Sequence, residues 1–115
     1  MQQPKHGTLL AQELATDAVR LLCPLVERIH RRDKSLADQL KRAASSVVLN
    51  LAEAAYNQAG HRRSRLESAR GSANEARAAL TLAAAWGYIS EAQAAEVDAL
   101  YDRVLAMSYR LWLRA

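Results

Sequence analysis

DQLKRAASSVVLNLAEAAYN, residues 38–57, carries two patterns on one helix. With Leu36 just ahead of it, Leu40, Ala44, Val47, Leu51 and Ala55 recur at steps of four and three, the spacing of a single buried face. Gln39, Arg42, Ser46, Asn50, Glu53 and Asn57 recur at the same kind of spacing, and none of them is apolar. At about 100° per residue, Gln39, Ser46, Asn50 and Glu53 occupy one narrow sector of the helix. The main apolar stripe lies on one side of that sector, and Leu49 and Tyr56 lie on the other. A helix that is polar only along a strip between two apolar strips has little face left for water. Either the strip is a solvated edge with two incidental apolar neighbours, or a partner covers it and its polar groups are hydrogen-bonded there. The pattern favours the second reading, and oligomerisation follows from it.

The rest of the chain bounds what such a helix belongs to. A length of 115 residues corresponds to one domain, residues 1–115, with a single core. Half of the residues are apolar and 24% are charged, and no segment approaches the roughly 20 apolar residues of a membrane span. The opening MQQPKHGTLL has no long apolar run and no small-residue cleavage site, so no signal peptide is expected. One cysteine, Cys23, makes no internal disulfide and fits a reducing cytoplasm. Alanine is abundant, phenylalanine is absent, and Pro4 and Pro24 are the only prolines, an all-α composition.

Four helices are predicted, at about 8–31, 35–57, 62–86 and 90–114. Thr8 is a candidate cap for the first, which is expected to bury Leu10, Leu14, Ala18, Leu21, Leu25 and Ile29. Pro24 lies inside that pattern, lacks an N–H and clashes with the preceding turn, so a kink or local break is expected there. Asp33 or Ser35 opens the second helix, which ends near Gln58 and Gly60. The third stops at Gly87, a residue suited to a left-handed C′ position. Ser90 and Gln93 have the spacing of a capping box, and the helix they open is expected to bury Val97, Leu100, Val104, Met107 and Leu111. Short turns make neighbours antiparallel, so the expected architecture is an up-down-up-down four-helix bundle.

The third helix supports a partnered second one. Leu66, Ala69, Ala73, Ala76, Leu80 and Ala83 form a core side of mostly small residues. Gly71, in mid-helix, costs about 1 kcal/mol relative to alanine, which implies backbone packed where no side chain fits. Ser72 and Glu75 are placed to meet the ladder of the second helix. The two stretches QLKRAASSVVLNLAEA and ARGSANEARAAL together resemble the bacterial four-helix-bundle family named for proteins encoded in 23S rRNA intervening sequences. Gln39, Arg42, Ala43, Ser46, Asn50, Ala52 and Glu53 match the first half of its pattern. Ala69, Gly71, Ser72 and Glu75 match the second. Ala54 stands where a glycine is usual, and Arg65 and Ser68 stand where apolar residues are common. The resemblance implies a ring-shaped homopentamer, and kinship to accessory proteins of diversity-generating retroelements. Those bind RNA or DNA and a reverse transcriptase.

Enzymatic readings find little support. Glu27 and His30 form one E-x-x-H, the unit that di-iron bundles use twice, but it stands alone beside arginines that repel a cation. Glu53 and Glu75 lack a second such unit to complete a site. Cys23 has no histidine near it in sequence and is expected to pack as a small apolar residue. No nucleophile elbow or phosphate-cradling glycine loop is present. Trp86, Tyr88 and Trp112 read as core or interface anchors. The chain is expected to be a non-enzyme without cofactor or metal.

Charge is the remaining clue. The net charge is +4 and the sequence pI about 9.6. RIHRRDK puts Arg28, Arg31, Arg32 and Lys34 at one end of the bundle, and HRRSR puts Arg62, Arg63 and Arg65 at the other. Lys5, Arg110 and Arg114 join the HRRSR end, while Glu91, Glu96 and Asp98 lie towards the first. Arginines also suit helix C-termini and keep turns soluble. No base-reading motif is visible, so nucleic acid bound by the HRRSR end would be held without sequence preference. The alternative is a ring-forming scaffold for another protein, with the basic turns merely solvated.

Overall fold

Four helices form because long alanine- and leucine-rich segments alternate with turns whose residues stop and restart the chain. In a computed structural model describing residues 6–57 and 59–115, they are α1 (His6–Arg32), α2 (Lys34–Tyr56), α3 (Ala59–Ala85) and α4 (Glu91–Arg114). No strand occurs among the described residues. Each helix packs on the next, and α1 closes against α4. Contacts from Thr8 to Arg62, Glu67 to Trp112 and Arg28 to Gln93 fix the up-down-up-down order. The bundle measures 45 × 21 × 18 Å. Its terminal end carries the start of α1, the α2–α3 turn and the end of α4. Its capped end carries the other two turns.

The capped end is built by local hydrogen bonds. Asp33 accepts the Leu36 N–H at 3.0 Å, which settles the cap of α2. Ser90 and Gln93 bond reciprocally, side chain to backbone, at 3.0 and 2.9 Å. Gly87 takes a φ of +79°, and the N–H groups of Gly87 and Tyr88 close back on the carbonyls of Ala84 and Ala83. A left-handed glycine satisfying the last carbonyls of a helix is the ending that its sequence position implied.

The core stripes of α2 and α3 are buried as expected: Leu36, Leu40, Ala44, Val47, Leu51 and Ala55 face Leu66, Ala69, Ala73, Ala76, Leu80 and Ala83. The outer pair of stripes is shifted. In α1 the buried line is Ala11, Ala15, Ala18, Leu22, Leu25 and Ile29. Leu14 and Leu21 are only half-buried, and Leu10 is 41% exposed. In α4, Ala94, Tyr101 and Ser108 join Val97 and Val104 inside, while Leu100, Met107 and Leu111 sit at the flank. In α1 the cause is that Ala11, Ala15 and Ala18 occupy the line of closest approach, and the longer Leu10, Leu14 and Leu21 splay to either side of it.

One further expectation is narrowed and another corrected. Of the kink or local break expected at Pro24, the break does not occur, and α1 is helical from His6 to Arg32. Pro24 is exposed, so the backbone carbonyl deprived of its partner faces water, where the loss costs least. Thr8 is not a cap but an interior residue of α1, fully buried. At mid-bundle Tyr101 is fully buried, and its hydroxyl has no hydrogen-bond partner among the described residues. Burial pushes its phenol well above the ordinary range.

Candidate functional site

The polar ladder of α2 lies along the outer groove between α2 and α3. Ser72 of α3 donates to the Ser46 hydroxyl at 2.8 Å, and the Asn50 amide donates to both the hydroxyl and the carbonyl of Ser46. The expected meeting of the two motifs occurs through Ser72, centred on Ser46, whereas Glu75 is exposed. Around it lies a shallow groove of about 420 Å³ lined by Arg42, Ser46, Leu49, Asn50, Glu53 and Arg65 among others. Gln39, Arg42, Glu53 and Glu75 are exposed. Leu49 is 65% and Tyr56 55% exposed, and Leu82 further along α3 is 50% exposed. Within one chain this groove has a hydrogen-bonded floor, Leu49 and the charged Lys41, Arg42, Glu53 and Arg65 around it, and no cover.

Three details differ from the sequence reading. Glu53 is exposed on the helix surface, and its counter-charge within the chain is Arg65, at 2.7 Å across the turn. The sequence pattern of α2 alone does not reveal a partner on the next helix. Gly71 is exposed, and a Cβ built on it would meet nothing within 4 Å. The close packing inferred for it does not occur inside the chain.

The basic residues of the terminal end separate by how each is held. Arg62 is buried: its guanidinium donates to the Thr8 hydroxyl at 3.2 Å and to the Ala54 carbonyl at 3.4 Å, and burial pushes its pKa down. It is thus a tie between α1, α2 and α3 and not a surface contact, which corrects its place in the expected nucleic-acid site. Arg65 is neutralised by Glu53. Arg63 lies over the Trp112 ring, 4.0 Å from its centroid, and Arg70 over the Tyr109 ring at 4.9 Å. Those rings stack on each other at 6.0 Å, and the Trp112 N–H donates to Glu67 at 2.9 Å. Arg110 and Arg114 are exposed on the last turns of α4. Lys5 lies outside the described residues.

Further along the α3–α4 seam the pairing changes. Arg77 donates to Asp98 at 2.7 and 3.2 Å with Asp102 nearby. Its hydrogen bond to Asp98 raises the guanidinium pKa, ahead of the opposing effect of burial. The capped end repeats the ring motif, with Arg32 5.5 Å from the Tyr88 centroid and Trp86 stacked beside Tyr88. There, however, the Tyr88 hydroxyl donates to Asp33.

A model of the 23S rRNA-intervening sequence protein family matches residues 9–110, nearly all of the described bundle. The chain belongs to this family. The fold agrees with the crystal structure of a protein of unknown function from the S23 ribosomal protein family of Bacteroides thetaiotaomicron VPI-5482. The two share 20% identity over 92% of this chain and 97% of that one, with a TM-score of 0.80. No curated protein sequence matches the chain.

In this family member the motif residues divide by depth. Ala43 and Ala69 are core, Ser46, Asn50 and Ser72 make the hydrogen-bonded floor, and Arg42, Glu53, Gly71 and Glu75 form the outer rim. Cys23 is exposed rather than packed: it borders a groove between α1 and α2 with Val19, Val26 and Lys41. Glu27 and His30 are exposed, and among the described residues no three histidine, cysteine or acidic side chains converge on a metal position. No helix of the described residues is long and apolar enough to cross a membrane. Arg63 was expected at this end, but Arg70 and the seating of both arginines on rings were missed by the sequence reading. Their signal was an arginine pair seven apart on α3 opposite an aromatic pair three apart on α4, meaningful only once the antiparallel register is known.

Proposed function

We propose that the protein is a non-enzymatic adaptor that assembles with copies of itself through the outer α2–α3 face and holds nucleic acid by charge. The observation carrying the assembly is the groove around Ser46. Its floor of Ser46, Asn50 and Ser72 is already hydrogen-bonded within the chain, so those groups need no new partner when the groove is covered. Leu49, Tyr56 and Leu82 gain by leaving water. Gly71 supplies a place where a second backbone can come close. The motif resemblance adds the number, a pentameric ring, and names a reverse transcriptase as a protein partner. A ring multiplies the modest charge of each chain along one polymer, which raises avidity without any new contact.

Light scattering coupled to size exclusion at micromolar concentration tests the assembly. The wild type is expected at a multiple of the 12.7 kDa chain mass. Position 71 is exposed and a Cβ there meets nothing within 4 Å, so Gly71→Leu is expected to fold with an unchanged helical spectrum and to run as a smaller species. A wild type that stays monomeric would overturn the assembly reading. An assembled wild type that binds no nucleic acid at about 50 mM salt would leave a scaffold for proteins alone.

A further inference from the structure

We infer that the α3–α4 seam at the terminal end is the nucleic-acid-binding surface, with Arg63 and Arg70 contacting backbone phosphates from positions set by Trp112 and Tyr109. The inference rests on the nucleic-acid part of the proposed function and gives it a location. A carboxylate that holds an arginine also neutralises it and occupies its donors. An aromatic face attracts the guanidinium through the ring quadrupole and takes neither its net charge nor its in-plane N–H groups. Arg65 and Arg77 are held the first way, by Glu53 and Asp98. Arg63 and Arg70 are held the second way. The Nε of Arg70 is buried with no hydrogen-bond partner among the described residues, in keeping with a side chain placed by its ring.

The arrangement suits a polyanion in two respects. Arg63 and Arg70 are seven residues apart on one helix, roughly 10 Å along its axis, so they address separate phosphates of one strand. Arg110 and Arg114, on the last turns of α4, add to the same field. Glu67 is the carboxylate placed between the two arginines, and it is engaged by the Trp112 N–H. Because the guanidinium planes are set before binding, less side-chain entropy is lost on contact. No base-edge reader accompanies them, so the contacts are to the backbone.

Fluorescence anisotropy with a labelled mixed-sequence RNA strand of about 20 nucleotides, titrated over a range of salt, tests this. Two double variants remove the same charge from opposite ends: Arg63→Gln with Arg70→Gln, and Arg28→Gln with Arg31→Gln. The seam pair is expected to weaken binding about tenfold or more at low salt and to flatten the log–log salt slope by one to two units, roughly one per contact. The other pair is expected to change affinity less than about threefold. Arg63→Lys with Arg70→Lys keeps the charge but loses the planar stack, so it should keep most of the slope while losing several-fold in affinity. Equal losses from the two glutamine pairs would overturn the seam while leaving nucleic-acid binding in place. No binding by the wild type would overturn both. Displacement of the RNA by polyglutamate at equal charge would assign the seam to an acidic protein segment and so overturn it too.

Discussion

At the capped end an arginine lies over a tyrosine that leans on a tryptophan, and at the terminal end two arginines lie over a tyrosine–tryptophan stack. The motif is the same, but the neighbouring carboxylates differ. Asp33 both caps α2 and accepts the Tyr88 hydroxyl, and burial with that negative charge holds the Tyr88 phenol above its usual range. Glu27, Asp38 and Glu91 are exposed on neighbouring turns of that end. At the terminal end Glu53 is occupied by Arg65 and Glu67 by an indole N–H. Counting basic residues therefore describes neither end. What distinguishes them is whether each guanidinium is buried, paired with an anion, or set on a ring.

The sharpest way to isolate the buried condition is to remove Arg62 and, for contrast, an exposed arginine, and to measure stability by chemical denaturation. Arg62→Ala should cost most, about 2–3 kcal/mol, because it strips the donor from the buried Thr8 hydroxyl and the Ala54 carbonyl and leaves a void. Arg28→Ala, exposed at the capped end, should fall within about 0.5 kcal/mol of wild type. A small effect at Arg62 would return that residue to the surface and blur the contrast.

The capped end should instead depend on its caps. Asp33→Ala removes the acceptor of the Leu36 N–H and of the Tyr88 hydroxyl together, for about 1–2 kcal/mol. Asp33→Asn keeps an acceptor and should recover most of that. If both variants were neutral, the turn would be held by packing alone.

Between the ends, Tyr101→Phe should be neutral or stabilising by up to about 1 kcal/mol, since it deletes an unpaired buried hydroxyl. The phenol is raised in the folded state, so the folded chain retains a proton that the unfolded chain releases near its ordinary pKa of about 10. The stability linked to Tyr101 is therefore complete below that pH and declines as pH rises above it. Wild-type unfolding followed from pH 9 to 11, a window of roughly one unit either side of that value, should show the decline, and Tyr101→Phe should weaken it.

The smallest effect is expected for Glu53→Gln with Arg65→Gln. Both partners are about half exposed, so losing their pair should cost under about 0.5 kcal/mol in the isolated chain. A large loss that appears only at concentrations where the protein is assembled would place Glu53 inside the interface.

Much of the fold was legible because it is encoded locally. Gly87, Ser90 with Gln93, and Asp33 each act on backbone groups within a few residues, and the stripes of α2 and α3 are periodicities of single helices. Leu10, Leu14 and Leu21 misled because hydrophobicity names the apolar face but not the line of closest approach, which alanines take. The meeting of Ser46 with Ser72 was readable from two motifs on adjacent helices. The burial of Arg62 and the seating of Arg63 and Arg70 on rings were not, since these depend on the register between α3 and its neighbours, and charge in the sequence carries no record of what lies beside it.

The central claim is that the ring-held arginines make the terminal end the nucleic-acid face. Ultraviolet cross-linking of the assembled protein to RNA, with the modified residues located by mass spectrometry, tests it most directly. Each end presents one tryptophan stacked with one tyrosine, and Trp86 at the capped end is the most exposed large apolar residue described. Photochemical access by itself therefore favours the capped end. The account predicts adducts on Tyr109 and Trp112; adducts confined to Trp86 and Tyr88 would contradict it.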